Sequence, residues 1–282
     1  MVGWTKESSE SSPSHAAYWD SDGNHTDIHP SGWNSSNAQA INNSGIIVGT
    51  GYDGSRTKSF LYNISTSVYT YIDDNSMTFV SLYDINDSNQ LTGYNGSTAI
   101  YVDSNNNISE ITHPDISYAY GMAINDSGQV LIVGSSGMDN TSVVWSSSTG
   151  TFGNIISTPD SDHQNGFAGY DINNSEQIVG YSSSNAWGGW AQAFMYDNTT
   201  NQFTDIHLQL PGSDWLGSQA FAINEKGQII GSGGYDHPSS SHVEHIFFGC
   251  EDFSGSLTIN NNAAYTDTLS VTLTLNSADA TH

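Results

Sequence analysis

Apolar residues along this chain come in short bursts of β-branched and aromatic side chains, separated by Gly, Ser and Asn. No window sustains a 3.6-residue period, so the pattern predicts an all-β protein. The bursts recur as a set. "AINNSGIIVG" (40–49) returns as "DINDSNQLTG" (84–93), "AINDSGQVLIVG" (123–134), "DINNSEQIVG" (171–180) and "AINEKGQIIG" (222–231). Their leading residues Asn42, Asn86, Asn125, Asn173 and Asn224 are spaced by 44, 39, 48 and 51 positions. Each copy is followed by a second apolar element such as "SFLYN" (59–63) or "AFMYD" (193–197), and usually by a third such as "YTYID" (69–73) or "FTDIH" (203–207). The N-terminal "MVGWT", "AAYWD" (16–20) and "HTDIH" (25–29) enter the same frame one element late.

Read this way, the chain holds six units of roughly 45 residues, each offering strands a, b, c and d, with the first unit lacking strand a. Four-stranded antiparallel units at this period describe a β-propeller blade, and six blades over 1–255 form a ring that leaves few free sheet edges. An open β-solenoid is the competing architecture, although its coils are usually shorter. The "AINDSGQVLIVG" stretch admits two chemistries, a calcium loop or an a–b hairpin. Only two copies place Asp after the Asn, and none supplies a late bidentate Glu. An Asn side chain can bond amides two residues on, and Gly accepts the left-handed conformation that closes a short hairpin. The hairpin is the better reading.

The frame A/D-I-N-x-x-G-Q-I/V-V-G, then A-F-x-Y/W-D, then T-D-I, resembles the HAF-type repeat of secreted and surface proteins in bacteria and archaea. The resemblance covers about residues 1–255 and implies a surface location and a repeat architecture, with no defined activity to transfer. Glu176 and Asn89 depart from it by replacing the turn Gly, and the fourth unit inserts two residues before its "VG". The tail "SLTINNNAAYTDTLSVTLTLNSADATH" (256–282) is similar to the opening of a prokaryotic Ig-like surface module, and "SVTLTL" alternates as a half-buried strand does. The expected organisation is a propeller over 1–255 and a linker with the first strands of a truncated module over 256–282. A second reading makes that last strand a donated one, completing a neighbouring copy and building a polymer.

Charge narrows the partners. Asp plus Glu number 29, yet Lys plus Arg number only 4, so the net charge of -25 reflects missing cations. Such a surface repels nucleic acid and anionic membrane, and no apolar stretch is long enough to insert into a bilayer. The composition suits an extracellular or cell-surface setting. Cys250 stands alone, which leaves no disulfide framework and no Cys-based metal site. Eleven N-x-Ser/Thr sequons include Asn24, Asn63, Asn95, Asn107, Asn140 and Asn198, candidate glycan acceptors or products of an Asn-rich composition.

In a propeller the a–b and c–d turns share one face, and here they are short and alike. The b–c and d–a connections share the other face and differ from one another, which is where function tends to sit. That face carries Trp4 at the end of strand b in the first unit, Trp33 and Trp215 in d–a loops, and Trp187 and Trp190 in a b–c loop. Tyr52, Tyr94, Tyr181 and Tyr235 follow strand b in four other units. Flat aromatics beside amides suit stacking on sugar rings; alternatively the rings fold inward over the blade ends.

Metal ligation has two weaker candidates: Asp20 and Asp22 in "DSDGN", spaced like the first half of a calcium loop, and His237, His242, Glu244 and His245 in "YDHPSSSHVEH". His29, His113 and His207 recur after strand d. No nucleophile elbow, P-loop or metalloprotease motif occurs, and no carboxylate pair stands out as a glycosidase would require. The sequence therefore points to a non-catalytic surface module with a glycan ligand and no required cofactor. A polysaccharide-acting enzyme using the same face and a purely structural subunit are the alternatives.

Overall fold

A computed structural model describes residues 1–6, 13–72, 80–137, 139–157, 166–183, 190–210, 215–237, 240–249, 257–259 and 273–275. Within them every regular element is a strand except for one 3-10 turn at His207–Gln209. Sheet 1 holds β1 (Val2–Lys6), β2 (Ser14–Trp19) and β3 (His25–Asp27). Sheet 2 holds β4 (Ser35–Ile41), β5 (Ile46–Tyr52), β6 (Thr57–Asn63) and β7 (Val68–Ile72). Sheet 3 follows with β8 (Ser81–Ile85), β9 (Leu91–Tyr94), β10 (Ala99–Val102) and β11 (Ile108–Ile111). β12 (Ser117–Ile124), β13 (Gln129–Ser136), β14 (Asp139–Ser146) and β15 (Thr151–Phe152) make sheet 4. Sheet 5 is β16 (Phe167–Ile172), β17 (Gln177–Ser183), β18 (Ala191–Asp197) and β19 (Gln202–Asp205). Sheet 6 is β20 (Trp215–Ile223), β21 (Ile229–His237) and β22 (Ser240–Gly249).

Sequence order equals spatial order in every sheet, as the repeat frame requires, and sheet 1 begins with strand b. In the tail, β23 (Leu257–Ile259) pairs antiparallel with β24 (Leu273–Leu275), so the alternating strand read from the sequence has a partner within its own chain.

The chain forms two compact units, one of Met1–Ser157 with Gly166–Gly169, the other from Tyr170 onward. In each, the first strand of a sheet packs on the preceding sheet: β4 on β1 and β2, β8 on β4 to β6, β12 on β8 to β10, and β20 on β17 and β18. The cores therefore lie between sheets. Ile47 and Phe60 join Ala16 and Ile28, while Leu82, Leu91 and Ile100 join Val48. Ile124, Val130 and Ile132 join Ala99. In the second unit Ile223 and Ile229 join Val179 and Met195. Each such fully buried aliphatic chain contributes about 1.5–3 kcal/mol.

The recurring Asn does more than close its turn. Its side-chain oxygen accepts amide N–H groups two and four residues on, as from Ser88 (3.0 Å) and Gln90 (2.9 Å) to Asn86, and the same pair of bonds occurs in all five copies. Its side-chain nitrogen reaches the next sheet. Asn42 Nδ2 donates to the Asn86 carbonyl (3.1 Å), Asn86 to Asn125 (2.9 Å) and Asn173 to Asn224 (3.2 Å). In the four copies with Gln four residues on, that Gln accepts a further bond from the same nitrogen, at 2.8 Å for Gln90 on Asn86. The position after the Asn runs a parallel ladder: Asn43 N–H donates to Asp87 Oδ1, Asp87 N–H to Asp126 Oδ1, and Asn174 N–H to Glu225. At the turn Gly position, Asn89 (φ 57°) and Glu176 (φ 61°) keep the left-handed backbone that Gly45, Gly128 and Gly227 adopt.

Replacing Asn86 with Ala removes turn bonds and an inter-sheet bond to a buried carbonyl, and should cost about 2–4 kcal/mol. Asn224→Ala, which among the described residues loses turn bonds alone, should cost about 1 kcal/mol. Denaturant unfolding of both variants checks this; equal losses would contradict the inter-sheet role.

Candidate functional site

The site begins with an extra residue in strand a. Register shifts fall between Ala38 and Ala40, Leu82 and Asp84, Gly121 and Ala123, and Ala220 and Ala222. Each is a bulge three residues before the turn Asn, at Gln39, Tyr83, Met122 and Phe221, and Tyr170 holds that position in sheet 5. A bulge turns its residue out of the pleat and re-aims the side chain. Strand b makes room for it with glycine: a Cβ on Gly93 would collide with the Ser81 carbonyl and Leu82 Cα. The outcome is a half-exposed residue on an edge strand, where a regular strand would bury it or point it to the opposite face.

In the first unit this geometry gathers tyrosines. Tyr94 closes β9, and its ring lies 4.4 Å from that of Tyr120 on β12. Tyr83 joins them: burial raises its phenol pKa first, and the neighbouring Tyr120 and Tyr94 raise it further. Tyr118, two residues before Tyr120 on β12, is 73% exposed. Its backbone is left-handed, with φ 51°, an outlier for a bulky residue. In the second unit Tyr170 lies 5.6 Å from Tyr181 and 5.7 Å from Phe221, ring to ring, and its hydroxyl donates to Gln219 Oε1 at 3.4 Å. Burial, then the adjacent Tyr181, pushes the Tyr170 phenol up to about 12.

The tryptophans expected at this end divide. Trp33 folds inward: its ring meets Phe60 edge-on at 5.8 Å and Tyr71 at 5.7 Å, and packs on the core between sheets 1 and 2. Trp215 likewise packs on the second unit's core, its ring lying over Gly233. Both rings thus take the inward-folding alternative in part, packing on a core while staying partly exposed. Trp4 is 52% exposed, with Lys6 Nζ 5.4 Å from its ring centre. Trp190 is 43% exposed and covers Gly217. Trp187 lies outside the described residues, and for Tyr235 the structure describes the backbone alone, paired with Trp215 and Val243.

Of the expected metal ligands, Asp20 is engaged within its own turn. Asp20 Oδ1 accepts the Asp22 and Asn24 N–H groups (2.9 Å each), and Oδ2 accepts Asn24 Nδ2 (3.1 Å). That amide, with the two N–H donors, holds the Asp20 carboxyl below its ordinary range. Asp103 is bonded identically by Asn105 and Asn107, with no second acid in the loop, so these bonds are those of turn closure. His237, His242, Glu244 and His245 belong to the β21–β22 hairpin rather than to a loop, with Glu244 opposite Gly234 and His245 opposite Gly233; their side chains lie outside the description. Among the described residues no three His, Cys, Asp or Glu side chains converge on a metal position.

The recurring histidines are structural pins. Nδ1 of His29 and of His207 lies 2.7 and 2.8 Å from Ser36 Oγ and Ser218 Oγ, hydroxyls that also accept the Ala16 and Ala193 N–H. His113 Nδ1 instead accepts the Asp115 N–H at 3.2 Å. Four sequon amides donate to carboxylates: Asn24 to Asp20, Asn95 to Glu110 (2.7 Å), Asn107 to Asp103 (2.8 Å) and Asn198 to Glu176 (2.6 Å). Asn63 Oδ1 closes its turn with Ser65 and Thr66, and Asn140 sits half-buried in β14.

Sequence reasoning singled out Tyr94 and Tyr181 but missed Tyr83, Tyr118, Tyr120, Tyr170 and Phe221. The available signal was "YDIN" followed by "GY", present at 83–94 and again at 170–181.

No family model matches the chain, and comparison with curated proteins finds no match. Among solved structures it is similar to TolB from Acinetobacter baumannii, with TM-score 0.54, 13% identity, and 83% of this chain and 60% of that one covered. It is also similar to the GH74 enzyme of Niastella koreensis (TM-score 0.55, 12% identity, 93% and 42% covered). The β-propeller domain of the Trilobed protease from Pyrococcus furiosus gives TM-score 0.50 at 10% identity, with 84% and 76% covered. The chain thus spans about 60% of TolB and well under half of the GH74 chain. At these identities the likeness shows the fold, which is that of a β-propeller.

The Tyr170 phenol, raised from 10.0 to about 12, keeps its proton longer when folded. Its contribution to stability is full below pH 10 and is lost as pH rises through 12. In an absorbance titration at alkaline pH, Tyr170→Phe should remove one late-ionising phenol and flatten the fall in stability over that window. An unchanged titration curve would contradict the buried pair.

Proposed function

We propose that this chain is a non-catalytic extracellular β-propeller module that binds neutral glycans through its strand-a aromatics. The observation that carries the reading is Tyr118. A left-handed backbone costs a bulky residue on the order of 1 kcal/mol or more, and an exposed ring recovers none of it by burial. Strain of this kind collects at ligand sites, and here it falls on an exposed ring two residues along β12 from Tyr120, whose own ring lies 4.4 Å from that of Tyr94 and whose hydroxyl can bond sugar oxygens. A chain of net charge -25 with four cations disfavours acidic polysaccharides, which selects neutral ones. The same cation-poor surface supports an extracellular setting.

Asn tolerates the left-handed region that Tyr resists. Tyr118→Asn should therefore stabilise the fold by about 1 kcal/mol, while weakening binding to a neutral-glycan array at least tenfold. A variant that is no more stable and binds as the native chain does would overturn the reading.

A further inference from the structure

The aromatic groups of the two units are built from the same positions. Counting from the turn Asn, Tyr83 and Tyr170 stand three residues before it, and Tyr94 and Tyr181 eight residues after it. On the following sheet, Tyr120 and Gln219 both stand five residues before their own Asn, and Met122 and Phe221 three before. In each group the tyrosine after strand b meets a strand-a tyrosine: the rings of Tyr94 and Tyr120 lie 4.4 Å apart and those of Tyr181 and Tyr170 5.6 Å apart, while the Tyr170 hydroxyl donates to Gln219 on the next sheet.

A carboxylate fixes the two walls of each group. Asp84 accepts the Ile85 N–H on its own strand and the Ile124 N–H on β12, both at 2.8 Å. Asp171 does the same for Ile172 (2.9 Å) and for Ile223 on β20 (2.8 Å). Sheets 2, 4 and 6 carry Ala40, Ala123 and Ala222 at this position, so Asp and Ala alternate along the chain. The working element is therefore a pair of sheets, an Asp-type one followed by an Ala-type one, and it occurs twice. The rims differ in which strand supplies the exposed ring. Tyr118 provides it on sheet 4; at the corresponding position sheet 6 has Gly217, and the ring of Trp190 lies over it.

Building on the glycan reading above, we propose that the chain carries two sugar-binding sites of one design, on sheets 3 and 4 and on sheets 5 and 6, and takes two oligosaccharides per chain. Both accept the same ligand class, because aromatic faces beside hydroxyl or amide groups are common to them. Their affinities differ, since Gln219 and Phe221 stand where the first site has Tyr120 and Met122.

Calorimetric titration of the whole chain with cellohexaose, xylohexaose and mannohexaose tests this. A hexaose that binds should do so at two per chain. Tyr118→Asn with Tyr120→Ala should leave one site, Trp190→Ala with Phe221→Ala should leave the other, and the four changes together should leave none. Near-ultraviolet circular dichroism and the thermal midpoint of each variant confirm that the fold persists. Native stoichiometry of one, abolished by a single pair and untouched by the other, overturns the twin-site inference while the glycan reading stands. Absence of binding by all three hexaoses overturns both.

Discussion

One side-chain amide per repeat sets the geometry on which the rest depends. The oxygen of the turn Asn locks its own hairpin by accepting two N–H groups, and its nitrogen ties that hairpin to the carbonyl of the next Asn. Each bond is worth only about 1 kcal/mol net, but an unmade one at a buried group costs more. Asn carries its donor and acceptor on separate atoms of one short side chain, whereas Ser and Thr put both on a single hydroxyl. Asp lacks the donor, and Gln adds a methylene. This is the physical reason that Asn stands at 42, 86, 125, 173 and 224 while the residues around it vary among Asn, Asp, Ser, Glu and Lys.

With the turns pinned, the strand-a bulge has a fixed distance from them, and glycine in strand b clears the space it needs. The bulge decides which residue faces outward on the edge strand. Where that residue is Gln39 the edge is polar; where it is Tyr83 or Tyr170, paired with Tyr94 or Tyr181, an aromatic group forms. The ligand chemistry proposed here thus rests on a few side chains placed by a scaffold that repeats without regard to them. The histidines after strand d belong to that scaffold, since His29 and His207 pin serines of the following sheet.

The periodic features were legible in the sequence. Five recurring hairpins and their trailing apolar bursts gave the strand order, the three-stranded first sheet and the short a–b turns, because hairpin chemistry is local. Inter-sheet bonds were not legible, as the partner of Asn86 lies 39 residues away. The strand-a bulge was missed for a related reason: an extra residue leaves alternation intact on either side of it. Tryptophans drew attention by size, and Trp33 and Trp215 are partly buried against cores that the sequence does not locate. Tyr118 could not be read as strained, because φ depends on the register shift between Ser117 and Tyr120.

The proposed recognition thus falls on tyrosines of strands a and b, away from the uniform turn face. Ring-labelled tyrosine NMR during titration with a bound neutral hexaose addresses this most directly, since all 15 tyrosines report at once. The account predicts shifts concentrated on Tyr94, Tyr118, Tyr120, Tyr170 and Tyr181, with Tyr62 and Tyr69 unmoved. Saturable binding that leaves those five rings unshifted would contradict it.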